Sequence, residues 1–252
     1  MLVSAAMPVL VLSDIHANLP ALDSVLADAA AGGRAYDSVW CLGDLVGYGP
    51  DPNECVERVR RLPNLICLIG NHDQAALGRI PLSRFNHDAR LAADWTGEIL
   101  TEENRTFLGS LPSQTDQDPF TLAHGSPRQP VWEYILDPTT ADRNFEVFAT
   151  DYCLVGHSHF PLIFRKESPH EPARAMAVPW DRPLALSPRM ILNPGSVGQP
   201  RDLDPRAAYA ILDLPSLTWH ARRVAYDVRM VQQRMVQAGL PERQAIRLLA
   251  GW

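Results

Sequence analysis

The stretch PVLVLSDIHANLPALDSVLADAAAGGRAYDSVWCLGDLVGYGP, residues 8–50, decides the fold. An apolar run from Pro8 to Leu12 stops at Ser13-Asp14. Leu19, Leu22, Val25, Leu26 and Ala29 then recur at helical spacing, and Gly32-Gly33 closes the segment. A second apolar run, Ser38 to Leu42, ends on Gly43-Asp44. Strand, helix and strand in this order form a βαβ unit, whose two strands lie parallel with the helix on one face. Working outward, a helix fits Pro52 to Arg61, with Cys55, Val56 and Val59 on one side, and a third run follows from Leu65 to Ile69. Runs of strand length recur at Phe120 to Ala123, Tyr152 to Val155, Met190 to Leu192 and Ala207 to Leu212. Residues 84–111 read as helical, with Thr101 capping the last helix. Ala207 to Leu212 and Leu217 to Val224 flank Pro215-Ser216 as a β-hairpin, and helices over Tyr226 to Ala238 and Pro241 to Leu249 follow. Lys166 to Pro188 carries five prolines and reads as an irregular surface excursion.

The chain has 252 residues, 46% of them hydrophobic and 21% charged, the balance of an ordinary globular protein. A single domain over 1–252 is expected, with its core at about 8–225 and the helices of 226–252 appended. Twenty-nine acidic residues outnumber 23 basic ones for a net charge of -6, so duplex nucleic acid is not an expected partner. The nearest basic cluster is Arg58, Arg60 and Arg61 on one short helix. Cys41, Cys55, Cys67 and Cys153 show no CxxC spacing and read as reduced core thiols of a cytoplasmic protein. The opening MLVSAAMPVLVL lacks a basic region and runs into Ser13-Asp14, so it reads as a first strand with no membrane role. Met7 could also be a true start, since residues 1–6 carry no evident role.

Strand exits carry the chemistry. SDIHAN (13–18), GDLVGYGP (43–50), GNHD (70–73), AHGS (123–126) and GHSH (156–159) each follow an apolar run, and they hold five of the eight histidines. Sheets with parallel strands place ligands at such carboxyl ends. Asp14 and His16, two apart at the end of an extended run, point to one side and could grip an ion, and His157 and His159 repeat that spacing. Alone, any of these residues could be a turn, a helix cap or a surface histidine. Their recurrence at five exits argues for metal ligands: Asp14, His16, Asp44, Asn71, His124, His157 and His159. Seven donors exceed one tetrahedral ion with an open position and suit two ions about 3.5–4 Å apart, with Asp44 a natural bridge. Oxygen and imidazole donors without thiolates suit Mn, Fe, Zn, Ni or Mg. His72, beside Asn71, would face the substrate. As imidazolium it could stabilise phosphoryl charge or protonate a leaving oxygen, with Asp73 raising its pKa and fixing its tautomer; the alternative is that the pair only holds the loop. Tyr48 could stack on a nucleobase or simply pack a turn. Arg201 could clamp a second phosphate or pair with Asp202 or Asp204.

The ordered series DIH, GDLVG, GNHD, AHG and GHSH, with NPGSVGQPR at 193–201, resembles the calcineurin-like metallophosphoesterases, specifically their small bacterial and archaeal phosphodiesterase branch. The resemblance spans residues 8 to about 225. It implies an α/β fold, a four-layer αββα sandwich of two mixed sheets flanked by helices. It implies one metal held by Asp14, His16, Asp44 and His159, and a second held by Asp44, Asn71, His124 and His157, with His72 catalytic and Asp73 its partner. It further implies direct attack of a metal-bridged hydroxide on a small phosphodiester or nucleotide-type substrate. A phosphoprotein phosphatase is the second enzymatic reading. A non-catalytic protein-binding scaffold is the alternative of another class, and it would be expected to lose ligands that are all present here.

Overall fold

The computed structural model describes residues 8–31, 36–180 and 182–252. In chain order its elements are β1 (Val9–Leu12), α1 (Leu19–Ala31), β2 (Ser38–Cys41), α2 (Pro52–Arg60), β3 (Leu65–Cys67), α3 (Asn71–Ala76), α4 (His87–Ile99) and α5 (Glu102–Ser110). There follow β4 (Gln114–Gln117), β5 (Phe120–Ala123), α6 (Pro138–Phe145), β6 (Tyr152–Leu154), β7 (Pro161–Arg165), β8 (Arg174–Met176), β9 (Leu184–Ala185) and β10 (Met190–Pro194). The last are β11 (Ala207–Asp213), β12 (Thr218–Val224), α7 (Val228–Gln237) and α8 (Glu242–Ala250).

Two six-stranded mixed sheets result, in the orders β3-β2-β1-β11-β12-β9 and β4-β5-β6-β10-β7-β8. In the first sheet β1, β2 and β3 run parallel, as the βαβ reading requires, and the remaining pairs are antiparallel. In the second, β5, β6 and β10 are parallel. Strand alternation sorts side chains into layers. Val9 and Val11 of β1 join Trp40, Phe120, Tyr152, Leu192 and Trp219 between the sheets. Leu10 and Leu12 instead meet Leu22, Val25 and Leu26 of α1. On the opposite outer face, Cys153 and Ile191 pack against Ala141 and Phe145 of α6. The architecture is therefore the helix–sheet–sheet–helix sandwich expected. Fully buried aromatics such as Trp219 hold its middle layer, and truncating one to Ala costs about 3–5 kcal/mol.

Several expectations are met closely. Thr101 caps α5, accepting from the Asn104 N–H at 3.3 Å, and β11 and β12 form the predicted hairpin. The four cysteines are free and buried. Arg58, Arg60 and Arg61 each face a carboxylate, Asp23, Glu103 and Glu57, so the basic cluster is neutralised. Gly32-Gly33, Met7 and the opening residues before Pro8 lie outside the described residues.

The proline-rich segment is a correction. Within 166–188, β8 edges the second sheet against β7 while β9 edges the first against β12, so the segment crosses from one sheet to the other. Strands of two and three residues are too short to show a period, and prolines are tolerated at sheet edges where no ladder bond is lost. Three further elements are additional: α3, which begins at Asn71 directly after the strand exit, β4, a polar edge strand, and α6, whose Asp137 cap and Pro138 form a start signal in plain view. At the far end α7 and α8 pack with Ala89 and Ala92 of α4 against Tyr48. This brings the C-terminal helices to the strand exits.

Candidate metal centre

The seven proposed ligands converge at the carboxyl ends of β1, β2, β3, β5 and β6, drawn from both sheets. Donor atoms of Asp14, His16, Asp44 and His159 lie within 4.8 Å of one another, as do those of Asp44, His124 and His157, so Asp44 belongs to both groups. Asn71 Oδ1 lies 3.1 Å from His124 Nε2. All seven side chains are buried.

The local geometry differs from a continuing extended strand. Asp14, His16, Asp44, Tyr48, His157 and His159 adopt φ between 48° and 63°, six of the ten non-glycine residues with positive φ among those described. Such left-handed conformations are strained and persist only where the surroundings hold them. Here the loop after β1 lies along the loop after β2, with N–H groups of Asp14, His16 and Ala17 donating to the carbonyls of Gly43, Asp44 and Leu45 at 2.9–3.0 Å. Two glycines admit close approach. A Cβ on Gly70 would sit 2.0 Å from Asp44 Oδ1, and one on Gly156 would sit 1.9 Å from Ser13 Oγ.

Each carboxylate is clamped by one oxygen. Asp14 Oδ2 accepts from Ser13 Oγ at 2.6 Å and from the His157 N–H at 3.0 Å, while Asp44 Oδ1 accepts from the His72 N–H at 2.9 Å. Their other oxygens, and His157 Nε2, are buried without a hydrogen-bond partner. Asp44 Oδ2 lies 3.6 Å from His16 Nε2 and 3.4 Å from His124 Nε2. Asp14 Oδ1 lies 3.4 Å from His159 Nε2.

The imidazoles are oriented by carbonyls. Nδ1 of His16, His124 and His159 meets the backbone oxygens of Val46 at 3.1 Å, Leu42 at 2.9 Å and Gln199 at 2.6 Å. A carbonyl only accepts, so Nδ1 carries the proton and a neutral ring turns a bare Nε2 inward. His16 and His159 point those two nitrogens at each other at 3.0 Å. Burial holds both histidines, and His157, far below their ordinary pKa, so no proton lies between them. Facing lone pairs and unpartnered carboxylate oxygens suit a cation, and the donor set fits a divalent metal. His124 differs: burial opposes its protonation, but the pull of Asp44 prevails and lifts it to about 9. Burial raises Asp14 to about 7, and Asp44 adds to the rise against the opposing His124. Burial would also raise Asp44, yet His124 and His72 outweigh it and hold that carboxyl well below the usual range.

His72 and Asp73 depart from expectation. The Asp73 carboxylate accepts from the backbone N–H groups of Asp44 at 2.9 Å, Val46 at 3.0 Å and Gly70 at 2.9 Å, so it clamps the metal-side loops. No hydrogen bond or ion pair among the described residues joins it to His72, whose Nδ1 is buried and unpartnered. The His72 ring packs against Tyr48 at 4.3 Å, His16 at 4.9 Å and Phe85 at 5.0 Å. Burial lowers its pKa to about 4; Asp44 pulls upward, while Arg201 and His124 push further down. Burial thus disfavours the imidazolium form, and the Asp73 carboxylate, turned to the backbone, does not offset it.

Tyr48 and Arg201 lie beside the centre. Arg201 Nη2 donates to Gln199 Oε1 at 2.8 Å and approaches the Tyr48 hydroxyl at 3.4 Å. Its proposed alternative partners are taken: Asp202 and Asp204 pair with Arg223 and Arg206. Other contributors carry little sequence signal. Ser196 Oγ donates to the Asp14 carbonyl at 2.8 Å, and Asn193 Nδ2 to the Gly156 carbonyl at 2.8 Å. Tyr134 stacks on the His157 ring at 4.0 Å and 3°. Ser196 and Asn193 lie within the NPGSVGQPR stretch, whereas Tyr134 stands ten residues beyond His124 in no motif.

Comparison with known proteins places the chain. A family model described as the calcineurin-like phosphoesterase superfamily domain matches residues 7–216. A crystal structure of a metallophosphoesterase from Sphaerobacter thermophilus is 47% identical, with a TM-score of 0.88 and coverage of 98% of this chain and 100% of that one. An uncharacterized protein of Methanocaldococcus jannaschii is 37% identical over 96% of this chain and 97% of its own length. A symmetrical bis(5'-nucleosyl)-tetraphosphatase of Baumannia cicadellinicola is 32% identical over 48% of this chain and 35% of its own.

Proposed function

From a chain that belongs to the calcineurin-like phosphoesterase superfamily, we propose a dinuclear-metal phosphoesterase that hydrolyses a small phosphodiester or nucleotide-type substrate. The observation that carries this reading is Asp44 Oδ2, a buried, unpartnered carboxylate oxygen shared by two clusters of donors. Asp14, His16, Asp44 and His159 would hold one ion, and Asp44, Asn71, His124 and His157 the other. Bound there, the ions supply Lewis acidity toward a phosphoryl oxygen and an activated water near neutral pH.

The chain's own residues do the rest. The backbone clamps on Asp14 and Asp44 keep one oxygen of each carboxylate turned to the centre. The carbonyls of Val46 and Gln199 keep His16 and His159 in the tautomer that bears an inward lone pair, and the Leu42 carbonyl would hold His124 the same way once a bound ion displaces its proton. His72, buried between Tyr48, His16 and Phe85, can donate one ring N–H to a phosphoryl or leaving oxygen. Asp73 positions the loops and does not touch substrate. Arg201, without a carboxylate partner among the described residues, is available to a second anionic group.

The partial match to a bis(5'-nucleosyl)-tetraphosphatase supports a nucleotide-type substrate. Among the described residues no helix is long and apolar enough to cross a membrane, and four free buried thiols agree with a cytoplasmic address. The test is hydrolysis of bis(p-nitrophenyl) phosphate with added Mn²⁺, against a chelator control. Metal-dependent turnover lost in Asp44→Ala is expected, and equal turnover in wild type and variant would overturn the reading.

A further inference from the structure

Outside the metal centre, a cavity of about 680 Å³ opens between the strand exits and the C-terminal helices, with Tyr48, Tyr134, Arg201, Arg243, Arg247 and Trp252 in its wall. Arg201 comes from the loop after β10, and Arg243 and Arg247 stand one turn apart on α8, so three guanidinium groups face one space. None forms an ion pair with an aspartate or glutamate side chain among the described residues. Arg201 bonds to the neutral Gln199, and its Nε is buried without a partner. Arg247 donates through Nε to the Trp252 carbonyl and through Nη1 to Gln244 Oε1 at 3.4 Å. Arg243 lies over the Trp252 ring at 5.6 Å. Asp88 is the carboxylate in the wall. Burial, together with the nearby Arg201 and Arg243, lowers Arg247 to about 10, so the group carries the cost of gathered like charge. The protein as a whole is acidic, yet this wall gathers three guanidinium groups against one carboxylate.

The cavity adjoins the centre across two rings of its wall: Tyr48 packs on His72 and His16, and Tyr134 stacks on His157. A substrate bound at the metals would therefore lie beside the arginines. α8 lies beyond residue 216, where the family match ends, so these two arginines stand outside the matched domain.

We infer that Arg201, Arg243 and Arg247 form a subsite for the non-scissile phosphates of the substrate, which is a polyphosphate ester rather than a simple phosphodiester. Planar guanidinium forks suit phosphate oxygens bidentately, and Tyr134 and Trp252, both partly exposed, offer apolar faces beside them. The inference rests on the phosphoesterase reading for the scissile end, and the two fail separately.

The experiment compares wild type with Arg243→Gln and with Arg243→Gln/Arg247→Gln, after matching their thermal midpoints. It reads kcat/KM for a dinucleoside tetraphosphate relative to bis(p-nitrophenyl) phosphate, and calorimetric affinity for inorganic tripolyphosphate. The expected result is a specificity ratio lowered about tenfold in the single variant and further in the double, with tripolyphosphate affinity lowered in parallel. If the double variant does not fold, Arg243→Gln alone decides, because Arg243 makes no hydrogen bond among the described residues that its loss would break. Unchanged ratio and unchanged tripolyphosphate affinity overturn the subsite while leaving the phosphoesterase intact. Arginine-dependent tripolyphosphate binding by a protein that hydrolyses neither ester would support the subsite and overturn the phosphoesterase reading instead.

Discussion

The metal centre and the cavity beside it are built in opposite ways. In the centre every ligand is buried, six left-handed backbone positions are held by neighbouring loops, and backbone groups pin one oxygen of Asp14 and of Asp44 and the outer nitrogen of three imidazoles. The cavity wall is made of long, partly exposed arginines and aromatic rings whose partners are neutral or cationic. A centre of that kind fixes atoms to the tolerance a reaction needs. The wall can change substrate without disturbing the centre, and two of its arginines come from a helix outside the family match.

The largest effect that would break this contrast is expected at Asp44. Asp44→Ala removes the donor common to both clusters, and kcat/KM should fall by more than the 10–100-fold typical of partners one shell further out, with bound metal per chain reduced in elemental analysis. An active variant with full metal content would mean the centre is not organised around this carboxylate. His72→Ala should lower kcat by about 10²–10⁴-fold while metal content stays at the wild-type level. Loss of metal together with activity would instead make His72 part of the metal-holding set.

Asp73→Asn tests the backbone clamp. The amide replaces one acceptor oxygen with a donor aimed at N–H groups, so urea unfolding should show a loss of about 1–3 kcal/mol, and activity a fall of about 10–100-fold. If Asp73 instead served to charge His72, the variant would shift the pH profile of kcat and leave stability untouched. The smallest effect belongs to the periphery. Asp204 is held at about 2, below its ordinary 3.8, chiefly by hydrogen bonds from Arg206, with Arg223 adding to the shift. A depressed folded-state pKa stabilises above the unfolded value, and this stabilisation disappears as pH falls from about 4 toward 2. Thermal midpoints across that window should drop less steeply in Asp204→Asn than in wild type. An equal slope would place the acid sensitivity elsewhere.

Much of this protein is legible in local order. The βαβ start follows from helical and strand periods in residues 8–50, and the ligand types stand at strand exits because parallel strands must open at that edge. These signals are local, so Asp14, His16, Asp44, Asn71, His124, His157 and His159 can be picked out without coordinates, and the structure gathers them in one place. What packing alone decided is of another kind. Asp73 sits beside His72 in the chain, yet its carboxylate turns to three N–H groups on other loops, because buried donors must be satisfied and no local rule ranks them against an imidazole. Tyr134 meets His157, and Arg201 meets Arg243 and Arg247, across separations that leave no periodic trace. Periodicity and turn chemistry are properties of neighbours along the chain. Which side chains share a cavity is set by how two sheets and their helices close on one another.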